Sequence, residues 1–243
     1  MIALLEWTPP ERGRGRKAVT VKEGSVLHLR LLRVEVLRGP RTPENVLRRR
    51  IGTAGKRLRK LGVNQAVLPA DFSYREQLEK QGVRPVSTLV LRRSIAAEWV
   101  RAALAAAELP VGGARVAVQA QQLTGEVVRT VTELALRHRY VLLALPHGGE
   151  ELCRQLRREY GVSLLLAPSE EQLRGAEALV MFDPGGDYGN PVTLRLYDET
   201  APLPALSLPP ALEERLPPQA DRGMLLAALR GAGVLKPGQI TVI

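Results

Sequence analysis

Short apolar runs alternate with amphipathic segments between residues 114 and 184. The run at residues 140–145 is continuously apolar, which is typical of a strand buried on both faces of a parallel sheet. The segments between the runs carry apolar residues at helical spacing and begin at capping residues, Thr124 and Ser169. The pattern predicts strands at residues 116–118, 140–145, 162–167 and 178–182, each followed by a helix or a turn.

The N-terminal part has a less regular pattern. Residues 25–37 alternate imperfectly and predict one long strand or a bent pair. Thr42 is the expected N-cap of a helix that ends before Gly62. The further elements predicted are strands at 2–7, 64–68 and 86–91, a helix at 73–81 with a Ser73–Glu76 capping box, and a helix at 95–107 capped by Ser94.

These elements predict an α/β fold with a Rossmann-like parallel sheet over about 114–184. Before this array lies an α/β part of mixed strands, and after it a proline-rich extension. The domains expected are a basic N-terminal domain at 1–110, the Rossmann-like domain at 111–200, and a linker, short helix and terminal strand that pack back at 201–243.

The first turn of the array lacks the glycines of a dinucleotide site. Residues 119–125 read QAQQLTG, where a nucleotide-binding unit has G-x-G-x-x-G so that the backbone can approach a pyrophosphate. The element order of residues 115–184 resembles the second half of two-domain proteins of the shikimate dehydrogenase type, whose nucleotide loop is absent here. No cofactor is therefore expected, and NAD(P) is disfavoured.

A candidate ligand site lies where the strands end. In an open parallel sheet, ligands bind beyond the carboxyl ends of the strands, at the point where the strand order reverses. Three loops then share one edge, and their polar side chains and glycine amides could bind a small molecule or a protein surface. The candidate residues are Gln121, Thr124, Gly125, His147, Gly148, Gly149, Asp183, Gly185, Gly186 and Asp187. Because Glu150 and Glu151 add negative charge here, the expected ligand is a small neutral or cationic group.

The net charge of +10 comes from the N-terminal quarter of the chain. Residues 1–60 hold 16 Lys and Arg against 5 Asp and Glu, whereas the Rossmann-like array is close to neutral. This surface could bind nucleic acid or an acidic partner. Its candidate residues are Arg12, Arg14, Arg16, Lys17, Arg48, Arg49, Lys56 and Arg59. Against nucleic acid, aromatic residues make up 4% of the chain and do not interleave with the basic ones.

Other residue types limit the remaining functions. No apolar run is long enough to cross a membrane, and the first residues do not read as a secretory signal. Cys153 is the single cysteine, so a reducing cytoplasm is the expected location. The histidines, His28, His138 and His147, have no metal-binding spacing, and no metal is expected.

Three functions are consistent with the sequence. The first is a non-catalytic binding or regulatory protein on a degenerate Rossmann-like scaffold, which could form a homo-oligomer. The second is an NAD(P)-linked oxidoreductase with an atypical nucleotide loop. The third is nucleic-acid binding through the basic N-terminal third.

Overall fold

Contacts divide the chain into two units in the computed structural model, which describes residues 1–10 and 17–243. The first unit comprises Met1–Thr88 and Leu208–Gln239, and the second comprises Leu89–Ser207 and Ile240–Ile243. The domain boundaries expected at the connector near residue 110 and at the start of the proline-rich segment near residue 200 remain a prediction.

The elements are numbered in chain order over the described residues. The strands are β1 (Ala3–Thr8), β2 (Val19–Val26), β3 (Leu29–Leu37), β4 (Gln65–Val67), β5 (Arg84–Pro85), β6 (Arg115–Gln119), β7 (Tyr140–Ala144), β8 (Leu165–Leu166), β9 (Ala178–Met181), β10 (Val192–Arg195), β11 (Leu206–Ser207) and β12 (Thr241–Val242). The helices are α1 (Glu44–Lys60), α2 (Arg75–Glu79), α3 (Leu89–Ser94), α4 (Ala96–Ala106), α5 (Gly125–Ala135), α6 (Gly149–Tyr160), α7 (Glu170–Arg174), α8 (Pro210–Glu213) and α9 (Arg222–Gly231).

The first unit is built on a mixed sheet with the order β2-β3-β1-β4-β5. β1 is parallel to β3 and β4, and β5 is parallel to β4, whereas β2 is antiparallel to β3. The strand or bent pair predicted over residues 25–37 comprises the last two residues of β2, a turn and the whole of β3, which together with the rest of β2 form a hairpin. Leu27 and His28, with φ of 48° and 81°, form its two-residue turn, a backbone conformation that matches the twist of paired strands.

Helix α1 forms because its apolar residues recur at helical spacing. Leu47, Ile51, Ala54 and Leu58 are buried on one face, and Gly62 follows the helix with φ of 71°. The predicted cap is displaced by one residue. Pro43 occupies the N-cap position, and Thr42 Oγ1 accepts a hydrogen bond from the Gly39 amide at 2.8 Å.

Three predictions between residues 73 and 95 are wrong. The Ser73–Glu76 capping box does not form, because α2 begins later, with Tyr74 at its N-cap. The strand predicted at 86–91 does not form, because β5 ends at Pro85 and α3 occupies the second half of that range. Ser94 does not cap the helix that follows: Ile95 is the N-cap of α4, and the Ser94 hydroxyl instead donates to the Leu91 carbonyl at 2.9 Å.

The second unit contains a parallel sheet with the order β10-β9-β6-β7-β8. From the central strand β6, the chain moves outward to β7 and β8, then returns to the other side of β6 with β9 and β10. All of the neighbouring strands in this sheet pair in parallel. This order is the Rossmann arrangement, with its reversal point between β6 and β9. The predicted α/β fold with a Rossmann-like parallel sheet is confirmed.

Two helix starts in this unit follow the predicted capping chemistry. Thr124 accepts from the Val127 amide at 3.3 Å at the start of α5. Ser169 and Gln172 form a capping box, with hydrogen bonds of 3.3 and 2.9 Å, at the start of α7. Gly161 ends α6 with φ of 71°.

The two faces of this sheet are covered differently. One face packs against α4, α5 and α6 through Val116, Val118 and Val180. The other face is a smaller cluster around Ala117 and Leu179, onto which Tyr188 and Tyr197 pack. Two of the residues that cover the second face thus come from the loops around β10, so the loop after β9 has a packing role as well as a position at the sheet edge.

The proline-rich segment contains short elements of its own. β11 pairs antiparallel with β12, with Leu206 opposite Val242. The buried Arg92 guanidinium donates hydrogen bonds to the carbonyls of Glu199 and Ala201, so the chain just before β11 is held by a side chain of α3.

Candidate functional site

A cavity of about 360 Å³ opens where four parallel strands of the second unit end. Because β6, β7, β8 and β9 are parallel, the residues that follow them lie at one edge of the sheet. We call this cavity the crevice. Its lining residues are Gln119, Ala120, Gln121, Ala144, Leu145, Pro146, Ala167, Pro168, Asp183 and Pro184. Most of these are alanine, leucine and proline, so the walls are apolar and few polar groups face the space.

The loops after β6 and β9 are joined at the reversal point. The backbone amide of Gln121 donates to Oδ2 of Asp183 at 2.8 Å. The Phe182 amide also donates to the Gln119 carbonyl at 2.9 Å, so the two strands stay paired up to the crevice. Asp183 therefore has a structural bond through one oxygen while its carboxylate lines the cavity.

Gln119 is the polar side chain at the base of the crevice. Its Oε1 is buried and accepts no hydrogen bond from any described residue. Gly185 lies against this amide so closely that a Cβ there would be 2.6 Å from Nε2 of Gln119. A buried acceptor without a partner costs free energy unless something else donates to it. Gln119 was not among the predicted site residues, although its position as the last residue of β6 could have indicated that it lies at the sheet edge.

In the turn after β6, at residues 120–124, two side chains make contacts within the protein. Leu123 packs against Gly148, where a Cβ would lie 3.0 Å from Cδ2 of Leu123. Thr124 uses its hydroxyl to cap α5. Gly125, the first residue of α5, is exposed and has open space where a Cβ would be. Glycine at this position therefore meets no packing requirement from the described residues.

The loop after β7 forms a neighbouring cavity of about 440 Å³. His147 is exposed, Gly148 has φ of 85° at the N-cap of α6, and Gly149 is buried as its first residue. Glu150, Glu151 and Arg154 also line this cavity. The two acids occupy the first turn of α6, where they interact favourably with the helix dipole and repel anions.

Gly186 and Asp187 belong to the loop after β9 but do not line the crevice. Asp187 pairs with Arg195 at 2.7 Å and accepts from the Gly189 amide at 3.0 Å. Gly186 lies against the ring of Tyr188. The side chain of Asn190 ends this loop by donating to the Leu173 and Ala176 carbonyls, each at 2.8 Å. Asp187 and Asn190 therefore hold the loop in place.

Ala167 has a strained backbone at the mouth of the crevice. Its φ is 47°, a conformation that costs an alanine about 1 kcal/mol or more. Ala167 follows β8, lines both cavities and donates from its amide to the Leu143 carbonyl at 3.3 Å. Strain of this kind often accompanies binding sites. No local pattern around residue 167 indicated it.

The predicted basic residues belong to the first unit. Arg48, Arg49, Lys56 and Arg59 are exposed on α1, and Lys17 is exposed just before β2. Arg12, Arg14 and Arg16 lie outside the described residues. Within residues 1–10 and 17–243, no group of three or more His, Cys, Asp or Glu side chains could hold a metal ion. Over the same residues, no helix has both the length and the apolar character needed to cross a bilayer.

No protein-family model matches the chain, and no curated protein matches it. Among solved structures, the chain is similar to a dipicolinate synthase from Bacillus halodurans, with 17% identity, a TM-score of 0.32, and coverage of 49% of this chain and 43% of that one. It is also similar to L-tryptophan dehydrogenase from Nostoc punctiforme, with 13% identity, a TM-score of 0.30, and coverage of 64% and 45%. For D-lactate dehydrogenase with NAD+ from Lactobacillus jensenii, the identity is 9%, the TM-score 0.30, and the coverage 63% and 56%.

The chain thus spans about half the length of these dehydrogenase and synthase structures. Similarities this low assign no activity or cofactor. The fold assignment rests on the strand order and pairing of the second unit itself.

Proposed function

We propose that this protein binds a small neutral or cationic molecule in the crevice and acts by binding, as a regulatory protein, rather than by catalysis. The observation that carries the proposal is the buried Oε1 of Gln119, which accepts no hydrogen bond from a described residue. If the Gln119 amide rotates into the crevice that it lines, a ligand with N–H or O–H groups would supply the missing donor. The Asp183 carboxylate, at the same cavity, favours a donor or a cation as well.

The size and walls of the crevice support a small ligand. Its volume of about 360 Å³ is at the low end of the range for ligand pockets, which extends from about 300 to about 1,000 Å³. Apolar walls with a few polar groups, here Gln119, Gln121 and Asp183, are the usual composition of such pockets. Among the described residues that line the crevice, none pairs a nucleophile with a base, which favours binding over catalysis.

A phosphate-rich ligand is disfavoured by the backbone and by charge. The Gln121 amide donates to Asp183, and the Thr124 hydroxyl caps α5, so neither group is directed at a ligand. Glu150 and Glu151 occupy the start of α6, where a phosphate would otherwise be attracted. These contacts support a ligand without phosphate groups.

An NAD(P)-linked oxidoreductase is the second candidate. The Rossmann strand order favours it, and so does Gly125, where nothing in the described chain requires a glycine. If a pyrophosphate approached the start of α5 here, a Gly125→Ala substitution would weaken dinucleotide binding. A crevice ligand would be unaffected by that change.

Thermal melts against a panel of metabolites test the proposal, followed by calorimetric titration of the best binder. The panel includes amines, amino acids, sugars and nucleosides, together with NAD+, NADH, NADP+ and NADPH. We expect a stabilising shift from a ligand without phosphate, and a loss of about tenfold in its affinity in Gln119→Leu. The matched control is Gln122→Leu, an exposed glutamine of the same loop outside the crevice lining.

Three results would contradict the proposal. Stabilisation by dinucleotides alone would favour the oxidoreductase, and turnover of a nicotinamide-linked substrate would establish catalysis. Equal losses of affinity in Gln119→Leu and Gln122→Leu would remove Gln119 from the site.

A further inference from the structure

Three of the nine aromatic side chains converge at one place in the first unit. Trp7 stacks on Phe72 with ring centroids 5.6 Å apart and an interplanar angle of 24°. Tyr74 contacts both rings edge-on, at 6.4 Å from Trp7 and 5.9 Å from Phe72. Trp7 lies near the end of β1, and the other two follow β4. Since β1 and β4 are parallel, this aromatic cluster lies at the carboxyl edge of the first sheet.

Polar contacts fix the cluster in position. The Trp7 indole N–H donates to Oδ1 of Asp71 at 2.8 Å, and Arg38 pairs with Oδ2 of the same carboxylate. The Arg38 guanidinium also lies over the Trp7 ring, 4.9 Å from its centroid. Partial burial raises the pKa of Asp71, but the hydrogen bonds from Arg38 and Trp7 outweigh it and lower the pKa overall. The Asp71 carboxylate therefore stays ionised and holds the side chains of Trp7 and Arg38 in place.

A cavity of about 720 Å³ adjoins the cluster and connects it to α1. Phe72 and Tyr74 line it on one side, and Arg48 lines it from the first part of α1. Arg75 lines it as well. Arg48 makes an ion pair with Glu44 at 2.6 Å, within α1 itself. Aromatic rings and guanidinium groups thus border one space, together with the carboxylates of Glu44 and Glu76.

The outer surface of α1 continues from this cavity as a basic face. Arg49, Lys56, Arg59 and Lys60 are exposed, and none of them makes an ion pair with a described residue. Arg50 and Arg57 differ, because they turn toward the sheet and donate to the Leu37 and Val19 carbonyls. The basic face therefore consists of Arg49, Lys56, Arg59 and Lys60, with Arg48 at its junction with the cavity.

We propose that the first unit binds single-stranded nucleic acid, with phosphates along the basic face of α1 and a base in the cavity beside Tyr74, whose ring is held by the buried Phe72. Single-strand sites combine a positive surface that follows the backbone with aromatic rings on which bases stack. A duplex keeps its bases stacked on one another, so it would use the charges but not the aromatic cavity. An acidic protein or a membrane would not need that cavity either. This proposal is independent of the crevice.

Aromatic and basic residues lie next to one another in the folded first unit, although they are separated along the sequence. Aromatic and basic residues do not interleave along the chain, but the fold brings residues 7, 72 and 74 next to Arg38, Arg48 and Arg75. Basic and aromatic residues are thus interleaved in space, because the loops that follow the parallel strands β1, β3 and β4 meet at one edge of this mixed sheet.

Fluorescence anisotropy with labelled oligonucleotides of about 12 nucleotides tests the proposal at about 50 mM salt, using the full chain. We expect single-stranded DNA or RNA to bind more tightly than a duplex of the same length. The triple variant Arg49→Gln, Lys56→Gln, Arg59→Gln should weaken binding at least tenfold. It should also reduce the slope of the logarithm of affinity against the logarithm of salt concentration by about two. Its control neutralises three exposed arginines of α6: Arg154→Gln, Arg157→Gln, Arg158→Gln.

A second pair of variants tests the stacking. Tyr74→Leu should weaken single-strand binding by about 5- to 100-fold and leave duplex binding unchanged. Tyr160→Leu, at an exposed tyrosine of α6, is its control. Thermal melts establish that each variant is folded.

Three outcomes would overturn the proposal. These are the absence of binding at about 50 mM salt, equal affinity for duplex and single strand, and equal losses in the α1 and α6 triple variants.

Discussion

The backbone amide of Gln121 donates a hydrogen bond of 2.8 Å to Oδ2 of Asp183, across the point where the strand order of the second sheet reverses. In a dinucleotide site, the amides of this turn would face a pyrophosphate. Here one of them is satisfied by the protein's own carboxylate. The Rossmann strand order is retained, while the turn that serves nucleotides in that fold has become an internal connection.

Removal of the Asp183 carboxylate should destabilise the second unit. Asp183→Ala is expected to cost about 1–2 kcal/mol, because the Gln121 amide loses its acceptor, whereas Asp183→Asn keeps an acceptor and should cost less. Urea unfolding measures the difference. Asp187→Ala is the control, since its ion pair with Arg195 and its hydrogen bond from the Gly189 amide are both exposed and should contribute under about 1 kcal/mol. Equal losses in Asp183→Ala and Asp187→Ala would contradict this account.

A methyl group at Gly185 should change the crevice more than it changes stability. The Cβ of Gly185→Ala would displace the end of the Gln119 side chain, which is flexible, so we expect a loss of about 1 kcal/mol or less. Crevice binding should fall about tenfold with the displaced amide. Gly125→Ala, where a Cβ meets open space, should leave crevice binding unchanged. Unaltered ligand affinity in Gly185→Ala would contradict a role for Gln119.

Glycine at position 167 should stabilise the protein and weaken ligand binding. Ala167→Gly relieves the positive φ, and after the added freedom of the unfolded chain the net gain is up to about 1 kcal/mol. The released loop would also hold the crevice less firmly. Ala144→Gly, on β7 and lining the same crevice, has no positive φ and should instead lose about 0.5–1 kcal/mol. Denaturation midpoints of the two variants should therefore move in opposite directions.

Acidification should destabilise the chain through His138. Burial lowers the pKa of this imidazole below its ordinary value of 6.5, and the neighbouring Arg137 acts in the same direction. The unfolded chain then binds the proton first, so stability is full above 6.5 and declines as the pH falls from there toward the folded pKa.

The free energy of unfolding, measured between about pH 7.5 and about pH 5.5, tests this dependence. His138→Leu should flatten the decline. The exposed His147, changed to glutamine, controls for the loss of a histidine as such. If the free energy of unfolding declined just as much in His138→Leu, other titratable groups would be responsible.

The elements of the second unit were predictable because its periodicity and its capping residues agree. Thr124, Ser169 and Gly161 bond or turn as their residue types favour. Prediction failed where tertiary contacts override local preference. The residues before Ser94 form a helix although they read as a strand, and the burial of Leu91 and Arg92 on α3 comes from packing that no local pattern contains.

The site was only partly predictable, for a similar reason. The order of strands and loops indicated which edge to consider, so Gln121 and Asp183 were named in advance. The unpartnered oxygen of Gln119, the positive φ of Ala167 and the aromatic cluster around Trp7 depend on distances between loops. Contacts between residues that are far apart in the sequence cannot be predicted from local sequence patterns.

A crystal structure of the protein with the best binder from the metabolite panel would show whether the crevice holds the ligand. We expect a ligand without phosphate there, with a donor group within hydrogen-bond distance of Oε1 of Gln119 and a second polar contact at Asp183. A dinucleotide along the start of α5, or a ligand bound away from residues 119–121 and 183–184, would contradict this expectation.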